Sequence, residues 1–225
     1  MCVSRLFITA PDLNTLEATK PRNKFLKSVF EFILGLFLSV VLLPLFMAIG
    51  IFIKLSSRGP ILYAQERMSD GSGTFKFYKF RSMYVDSEER LKKYLQKNPA
   101  ALEEWEKFRK LKNNDPRVTK IGKIIRRFSL DELPQLINFF KSEMSLVGPR
   151  PYLLEEKDII GQSYPMISRV KPGITGLWQV RGRNLLSFKD RILLDEYYIR
   201  NWSLWLDIVI LLKTIKVLIT REGAY

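Results

Sequence analysis

The chain has 225 residues, 47% of them hydrophobic, which is enough for one full-sized domain or two small ones and excludes intrinsic disorder. Its 37 Lys and Arg against 23 Asp and Glu leave a net charge of +14, so an anionic partner is expected: nucleic acid, an anionic membrane surface or a phosphorylated substrate. With no histidine and a single cysteine, Cys2, the sequence excludes Ser-His-Asp and Cys-His sites, imidazole-bound metal and internal disulfides.

The one long apolar run is Phe32–Ile53, 22 residues without a charge, preceded by Lys24, Lys27 and Glu31 and followed by Lys54 and Arg58. As a straight helix it would reach ~33 Å, about the hydrocarbon thickness of a bilayer. It begins too far into the chain and is too long for a signal peptide, so it is expected to stay in the mature protein. Pro44 would divide it into pieces of roughly 18 and 14 Å, each too short to cross. Basic residues lie on both sides, Arg22, Lys24 and Lys27 before and Lys54, Arg58 and Arg67 after, and the positive-inside tendency asks both flanks to stay cytoplasmic. A helix that breaks at Pro44 and leaves by the face it entered meets both demands. A Pro-kinked spanning helix is the other form these residues allow, and the apolar character all round disfavours a soluble core helix.

Beyond Arg58 the composition is that of a basic globular domain. Ile61–Met68 and Thr74–Phe80 read as a hairpin around Ser69-Asp70-Gly71-Ser72-Gly73. Ser87–Lys112 is charged, with Leu91, Leu95, Leu102, Trp105 and Phe108 at helical spacing, and Asn98-Pro99 divides it into two helices. Thr119–Phe128 and Leu130–Phe140 read as short amphipathic helices, the first with Ile121, Ile124, Ile125 and Phe128 on one face. Ser163–Asn184, rich in Gly and Pro, is expected to be a long loop or a set of turns. Ser187–Arg200 returns to helix with a capping box from Ser187 to Asp190. Ser203–Ile219 carries Asp207, Lys213 and Lys216 on an apolar segment that starts with Trp202 and Trp205, so it is expected to lie in the membrane interface rather than to span. The expected fold is α+β and mainly helical, with an N-terminal segment to residue 24, a re-entrant membrane helix over 25–58 and a cytoplasmic catalytic domain over 59–225.

The densest candidate for chemistry is Ser129-Leu130-Asp131-Glu132-Leu133-Pro134-Gln135-Leu136. On one continuous helix Asp131, Gln135 and Asn138 would share a polar face. Ser129 and Glu132 have the spacing of a capping box, which would make both carboxylates structural. Against that, Arg126 and Arg127 precede the pair, and Gly148-Pro149-Arg150-Pro151 offers another arginine on a stiff loop. Paired carboxylates beside arginines suit a site in which Mg²⁺ and guanidinium groups share a phosphate. Tyr78-Lys79-Phe80-Arg81 alternates cations with aromatics, a pattern that can bind nucleic acid but more often marks one wet face of a strand. No zinc finger, RNA-binding sheet motif or Walker A loop accompanies it, so nucleic acid is not an expected partner.

Five motifs in order, Tyr78-Lys79-Phe80-Arg81-Ser82-Met83, Asp115-Pro116-Arg117-Val118-Thr119-Lys120-Ile121-Gly122, Ser129 to Leu136, Met144-Ser145-Leu146-Val147-Gly148-Pro149-Arg150-Pro151 and Lys171-Pro172-Gly173-Ile174-Thr175-Gly176-Leu177-Trp178-Gln179-Val180, closely resemble the bacterial sugar transferase family, the monotopic phosphoglycosyl transferases. The resemblance covers about residues 25 to 220. It implies transfer of a sugar 1-phosphate from a UDP-sugar to a polyprenyl phosphate, usually undecaprenyl phosphate, with release of UMP and a requirement for Mg²⁺. It also implies a re-entrant helix broken at a proline, the cytoplasmic face of a bacterial inner membrane, and glycosyltransferases acting downstream in surface-glycan assembly. By the same resemblance Asp131 is the nucleophile and Glu132 the Mg²⁺ ligand, Lys79, Arg81, Arg127 and Arg150 are phosphate clamps, and Gln179 and Arg183 bind substrate. The sequence departs from the family where Leu43 rather than Ser precedes Pro44, with Ser39 a candidate to satisfy the freed carbonyl, and where Arg181 replaces an Asn in Gln179-Val180-Arg181-Gly182-Arg183. A non-catalytic basic adaptor on the membrane surface, bound to anionic lipid or nucleic acid, is the alternative that charge alone allows.

Overall fold

The structure, a computed structural model, describes residues 16–71, 73–108, 111 and 114–220. It is α+β and mainly helical. In chain order come α1 (Pro21–Ser56), the hairpin strands β1 (Leu62–Met68) and β2 (Thr74–Phe80), α2 (Ser87–Lys97), α3 (Pro99–Phe108), α4 (Lys120–Arg127), a 3-10 turn (Leu130–Glu132) and α5 (Gln135–Phe140). There follow β3 (Ser145–Val147), α6 (Lys157–Ile160), α7 (Tyr164–Ile167), β4 (Gly173–Thr175), α8 (Leu177–Arg181), α9 (Phe188–Arg200) and α10 (Leu204–Thr220). The hairpin and the break between α2 and α3 at Asn98 fall where turn and proline signals placed them.

α1 has 36 residues, and among the described residues it is the one helix long and apolar enough to cross a membrane by length and composition. Its apolar side chains are exposed along nearly the whole length, from Phe25 to Leu55. The expected break does not interrupt the helix, which runs through Pro44 as one element. Proline removes a single N–H, the one that would reach the Val40 carbonyl, and an apolar solvent offers no substitute for the remaining helical bonds, so the helix keeps them. Ser39 does not serve the freed group: its hydroxyl donates to the Gly35 carbonyl at 2.7 Å. What changes beside Pro44 is the packing partner, because the chain forms two compact units whose boundary falls between Leu42 and Leu43.

The first unit holds the chain up to Leu42, Ala64–Tyr78 and the part from Pro134 onward. Its centre is the parallel pair β3 and β4, with Ser145 opposite Gly173 and Val147 opposite Thr175. The fourth and fifth motifs are thus two adjacent strands, and their glycines allow the approach: a Cβ on Gly173 would stand 2.1 Å from the Gly148 nitrogen. The expected loop over 163–184 contains α7, β4 and α8 instead, since a three-residue strand is too short to show periodicity. Around this pair Val147, Tyr152, Ile199 and Ile210 are almost fully buried. The start of α1 is tied in by buried polar contacts. Glu31 accepts from the Ser145 hydroxyl and the Val147 amide and pairs with Lys27 at 2.8 Å. Lys27 also pairs with Asp207 of α10, which accepts from Tyr198 and Trp202. Asp207 therefore faces the core, while Trp205, Leu212, Ile215 and Ile219 leave an exposed apolar row on α10, as an interfacial helix requires.

The second unit holds Leu43–Tyr63 and Lys79–Leu133. Ile49 and Ile53 of α1 pack with Phe80 and Ile125, and the Phe46 and Phe80 rings are 4.7 Å apart. Only part of the expected α4 face is inward, because Ile125 is buried whereas Ile124 is half exposed. Thr119 caps α4, accepting from the Gly122 amide at 2.8 Å. Ser82 joins the first and second motifs: its carbonyl accepts from the Thr119 amide and its hydroxyl from Arg126 Nε at 2.7 Å.

Candidate active site

The Asp131-Glu132 pair sits on the 3-10 turn after α4, in the second unit. Leu130 and Leu133 on either side pack against the Ile53, Phe80 and Ile125 core, which fixes the turn. Ser129 adopts a left-handed backbone, φ 55°, and its side chain makes no capping bond, so the capping box does not form. The continuous helix over 130–140 does not form either, since α5 starts only after Pro134, and Asp131 shares no helical face with Gln135 and Asn138. Those two are buried, and Asn138 accepts from the Tyr78 amide and donates to the Lys76 carbonyl, holding β2.

Lys79 Nζ meets Glu132 Oε1 at 2.8 Å, each side chain about 30% exposed. Burial, and then the negative charge of Glu132, push the Asp131 carboxyl up to about 6, against the pull of Lys79 and Arg126. Asp131 is therefore ionised at neutral pH yet poorly solvated, as an oxygen nucleophile needs to be. Arg126, whose position in the Arg126-Arg127 pair was noted without a role, faces Asp131 electrostatically and is oriented by Ser82. Arg127 is exposed. Arg81 is buried and donates to the Ser57 and Arg58 carbonyls and the Ser57 hydroxyl, so its guanidinium caps the end of α1.

Arg150, Gln179 and Arg183 belong to the first unit. The Arg150 backbone N–H donates to buried Asp195 at 3.0 Å, Tyr152 donates to the same oxygen at 2.7 Å, and the Arg150 guanidinium reaches Glu156 at 3.3 Å. Burial pushes Asp195 up to about 7, against these two hydrogen bonds. The guanidinium of Arg150 and that of Arg191 lie 5.4 and 5.3 Å from the Trp178 ring, so two cations are gathered around one aromatic. Gln179 donates to the Ile174 carbonyl at 3.1 Å, and Arg183 sits at φ 50° after Gly182. Sequence reasoning missed Asp195 and Arg191. Their signal was an acid at position 195 between Ile192 and Ile199 on the apolar stripe of α9, where an unpaired charge would be costly.

No cluster of three or more Asp, Glu, His or Cys that could hold a metal occurs among the described residues. Two adjacent carboxylates still suit Mg²⁺, which commonly takes one or two protein carboxylates together with water and substrate phosphate. The mutual repulsion that raises Asp131 is what a divalent cation would relieve.

Comparison with known proteins matches residues 22–221 to the family described as bacterial sugar transferase. The undecaprenyl-phosphate galactose phosphotransferase of Salmonella typhimurium is 44% identical over 207 residues, which cover 92% of this chain and 43% of that protein. The UDP-galactose-lipid carrier transferase of Erwinia amylovora is 47% identical over 206 residues, again 92% of this chain and 43% of the relative. The exopolysaccharide production protein ExoY of Sinorhizobium fredii is 40% identical over 208 residues, 92% of both chains. The chain thus spans less than half the length of the first two relatives and nearly all of the third.

Proposed function

Since the chain belongs to the bacterial sugar transferase family, we propose that it transfers a sugar 1-phosphate from a UDP-sugar to undecaprenyl phosphate, releasing UMP, with Asp131 as the nucleophile. The observation that carries this reading is the ionised, poorly solvated Asp131 carboxyl beside Lys79 and Arg126. A carboxylate oxygen of Asp131 attacks the β-phosphorus, and the bond from that phosphorus to the bridging oxygen breaks. UMP leaves with the electron pair, and the sugar phosphate remains on Asp131 as an acyl phosphate. An oxygen of the lipid phosphate then attacks the same phosphorus and returns the Asp131 carboxylate, giving a polyprenyl diphosphosugar. One phosphoanhydride is exchanged for another, so no ATP is needed.

Lys79 and Arg126 offset the diphosphate charge before an anionic nucleophile can approach, and fixed cations near developing charge accelerate such a step. Glu132, with Asp131 beside it, would hold Mg²⁺, which supplies further charge neutralisation on the phosphate oxygens. Arg150, Gln179 and Arg183 bind the donor, with Arg150 presented over Trp178. The enzyme works from the cytoplasmic face of the inner membrane, with α1 bending at Pro44 while helical structure continues through it so that both ends stay on that face, and downstream glycosyltransferases consume the product. The non-catalytic adaptor reading has no comparable support, because the relatives are named as transferases.

The test is to incubate the purified protein with undecaprenyl phosphate, Mg²⁺ and a panel of UDP-sugars while following UMP. UMP release that depends on lipid and metal, with exchange of labelled UMP into the donor in the absence of lipid, is expected. Absence of exchange in a protein that still turns over would remove the covalent intermediate.

A further inference from the structure

The first unit contains a cavity of about 340 Å³ between the start of α1, the end of α5 and the segment before β4. Its volume is within the usual range for small-molecule sites. None of the residues that line it belongs to the second unit, which carries the carboxylate pair. The lining is divided by chemistry. Lys24, Lys27, Arg169 and Lys171 are its cations, and Glu31 and Asp70 its acids. Glu31 is buried and committed to Lys27, Ser145 and Val147, and Lys27 is further held by Asp207. Asp70 is then the one remaining acid in the lining beside Lys24, Arg169 and Lys171. Phe32 and Phe140 also line the cavity and meet edge to face, 6.4 Å between centroids, and both are about half exposed. From Phe32 an exposed apolar row continues along α1 through Phe25, Val29 and Leu36, at spacings of three and four residues.

A cationic cup that opens onto an apolar row at the start of a membrane helix fits an amphiphile with an anionic head. We propose that this cavity holds the phosphate headgroup of an anionic membrane phospholipid, paired with Lys24 and Lys171, with its acyl chains along Phe32 and Phe140. Basic side chains favour anionic lipid by charge, and a concave site shaped to one headgroup adds selectivity that a merely basic surface lacks. Such a lipid would be a resident of the fold rather than the acceptor of the proposed transfer.

The test uses the full chain in detergent, titrated with phosphatidylglycerol or phosphatidylcholine and read by native mass spectrometry, without turnover. One retained phosphatidylglycerol per chain, with phosphatidylcholine not retained, is expected. Lys24→Gln with Lys171→Gln should weaken retention by about tenfold or more, as roughly one kcal/mol per basic residue implies. Lys24→Arg with Lys171→Arg should restore it. Arg22→Gln with Lys213→Gln, which removes the same charge outside the cavity, should change it by less than about twofold. Equal losses in both Gln pairs would reduce the effect to bulk charge and overturn the proposal. Displacement of the bound phospholipid by undecaprenyl phosphate, with a raised acceptor KM in the Lys24 and Lys171 variant, would overturn it by making the cavity the acceptor's own site.

Discussion

Arg81 donates to the Ser57 carbonyl at 2.7 Å and to the Ser57 hydroxyl at 2.9 Å, and so closes the end of α1 with the residue that follows β2. The residue that looked like a phosphate clamp is an internal cap for carbonyls that no helical N–H can reach. Lys79, two residues earlier, is the cation that meets the carboxylate pair. The backbone at 79–82 thus couples the membrane helix to the site through alternate residues. Hydrogen bonds to a charged donor are worth about 1.5–3 kcal/mol each when removed from a buried place. Arg81→Gln should therefore lower unfolding free energy by at least about 2 kcal/mol, measured by denaturant titration, while donor KM per folded enzyme stays near wild type. A large rise in KM with unchanged stability would return Arg81 to the phosphate.

Asp131→Asn should abolish UMP release and label exchange, because an amide cannot form the acyl phosphate. It should also stabilise the protein at neutral pH. A carboxyl that titrates at about 6 when folded and near 3.8 when unfolded is protonated more readily in the folded state. The wild-type protein therefore loses stability as pH rises from about 4 to 6, up to about 3 kcal/mol. Thermal melts of both proteins across pH 3.5 to 7.5 should diverge over that window, with the variant higher at pH 7 and the gap closing toward pH 3.5. Equal melting temperatures throughout would mean that the folded protein solvates Asp131 freely.

The same carboxyl sets an acid limb on activity. Turnover at low substrate should rise through a pH near 6 as Asp131 ionises. Glu132→Gln removes the second cause of the raised value, so the limb should move to lower pH, while the Mg²⁺ concentration for half-maximal rate increases. Initial rates against pH at several Mg²⁺ concentrations distinguish the two effects.

Gly122→Ala should be severe and Gly73→Ala nearly silent. A Cβ at Gly122 would lie 2.0 Å from the Ser82 carbonyl oxygen, a backbone atom that cannot swing aside without disturbing Thr119 and Arg126. Overpacking against a fixed neighbour costs about 1–3 kcal/mol or more. At Gly73 nothing stands within 4 Å of the added carbon. Urea midpoints of the two variants should differ accordingly.

If α1 is re-entrant, its two flanks lie on one side of the membrane. With Cys2→Ser removing the sole native thiol, cysteines placed at Lys20 and at Asp70 should be labelled from the same side in intact and permeabilised cells. Pro44→Leu restores the N–H to the Val40 carbonyl and should add a population labelled on opposite sides. Opposite-side labelling of the parent would make α1 a spanning helix.

Much of this was legible in the chain. Periodicity and turn residues located the hairpin, the α2–α3 break, the Thr119–Phe128 helix and the Ser187 cap, where Asp190 donates back to the hydroxyl at 3.1 Å. Composition located α1, and the adjacent acids with the family resemblance singled out Asp131 and Glu132 as candidates. These are short-range properties, set by spacing along the chain and by what each residue allows its own backbone. Tertiary structure decided the rest. Ser129 could be read as a cap, but in the fold its backbone is left-handed and its side chain makes no capping bond, while Leu130 and Leu133 beside it pack on the core. Arg81 and Lys79 lie two residues apart with the same charge, and only the carbonyls at the end of α1 and the acid at 132, 53 residues from Lys79, give them different partners. Asp195 stands on an apolar stripe, which marks it as unusual, but nothing local to Glu31, Asp195 or Asp207 names the partner that accepts its charge, since most of those partners come from distant segments. A charge costs little in water and much inside, so where each charged side chain ends is settled by the partners that folding brings to it, and those partners are not written next to it.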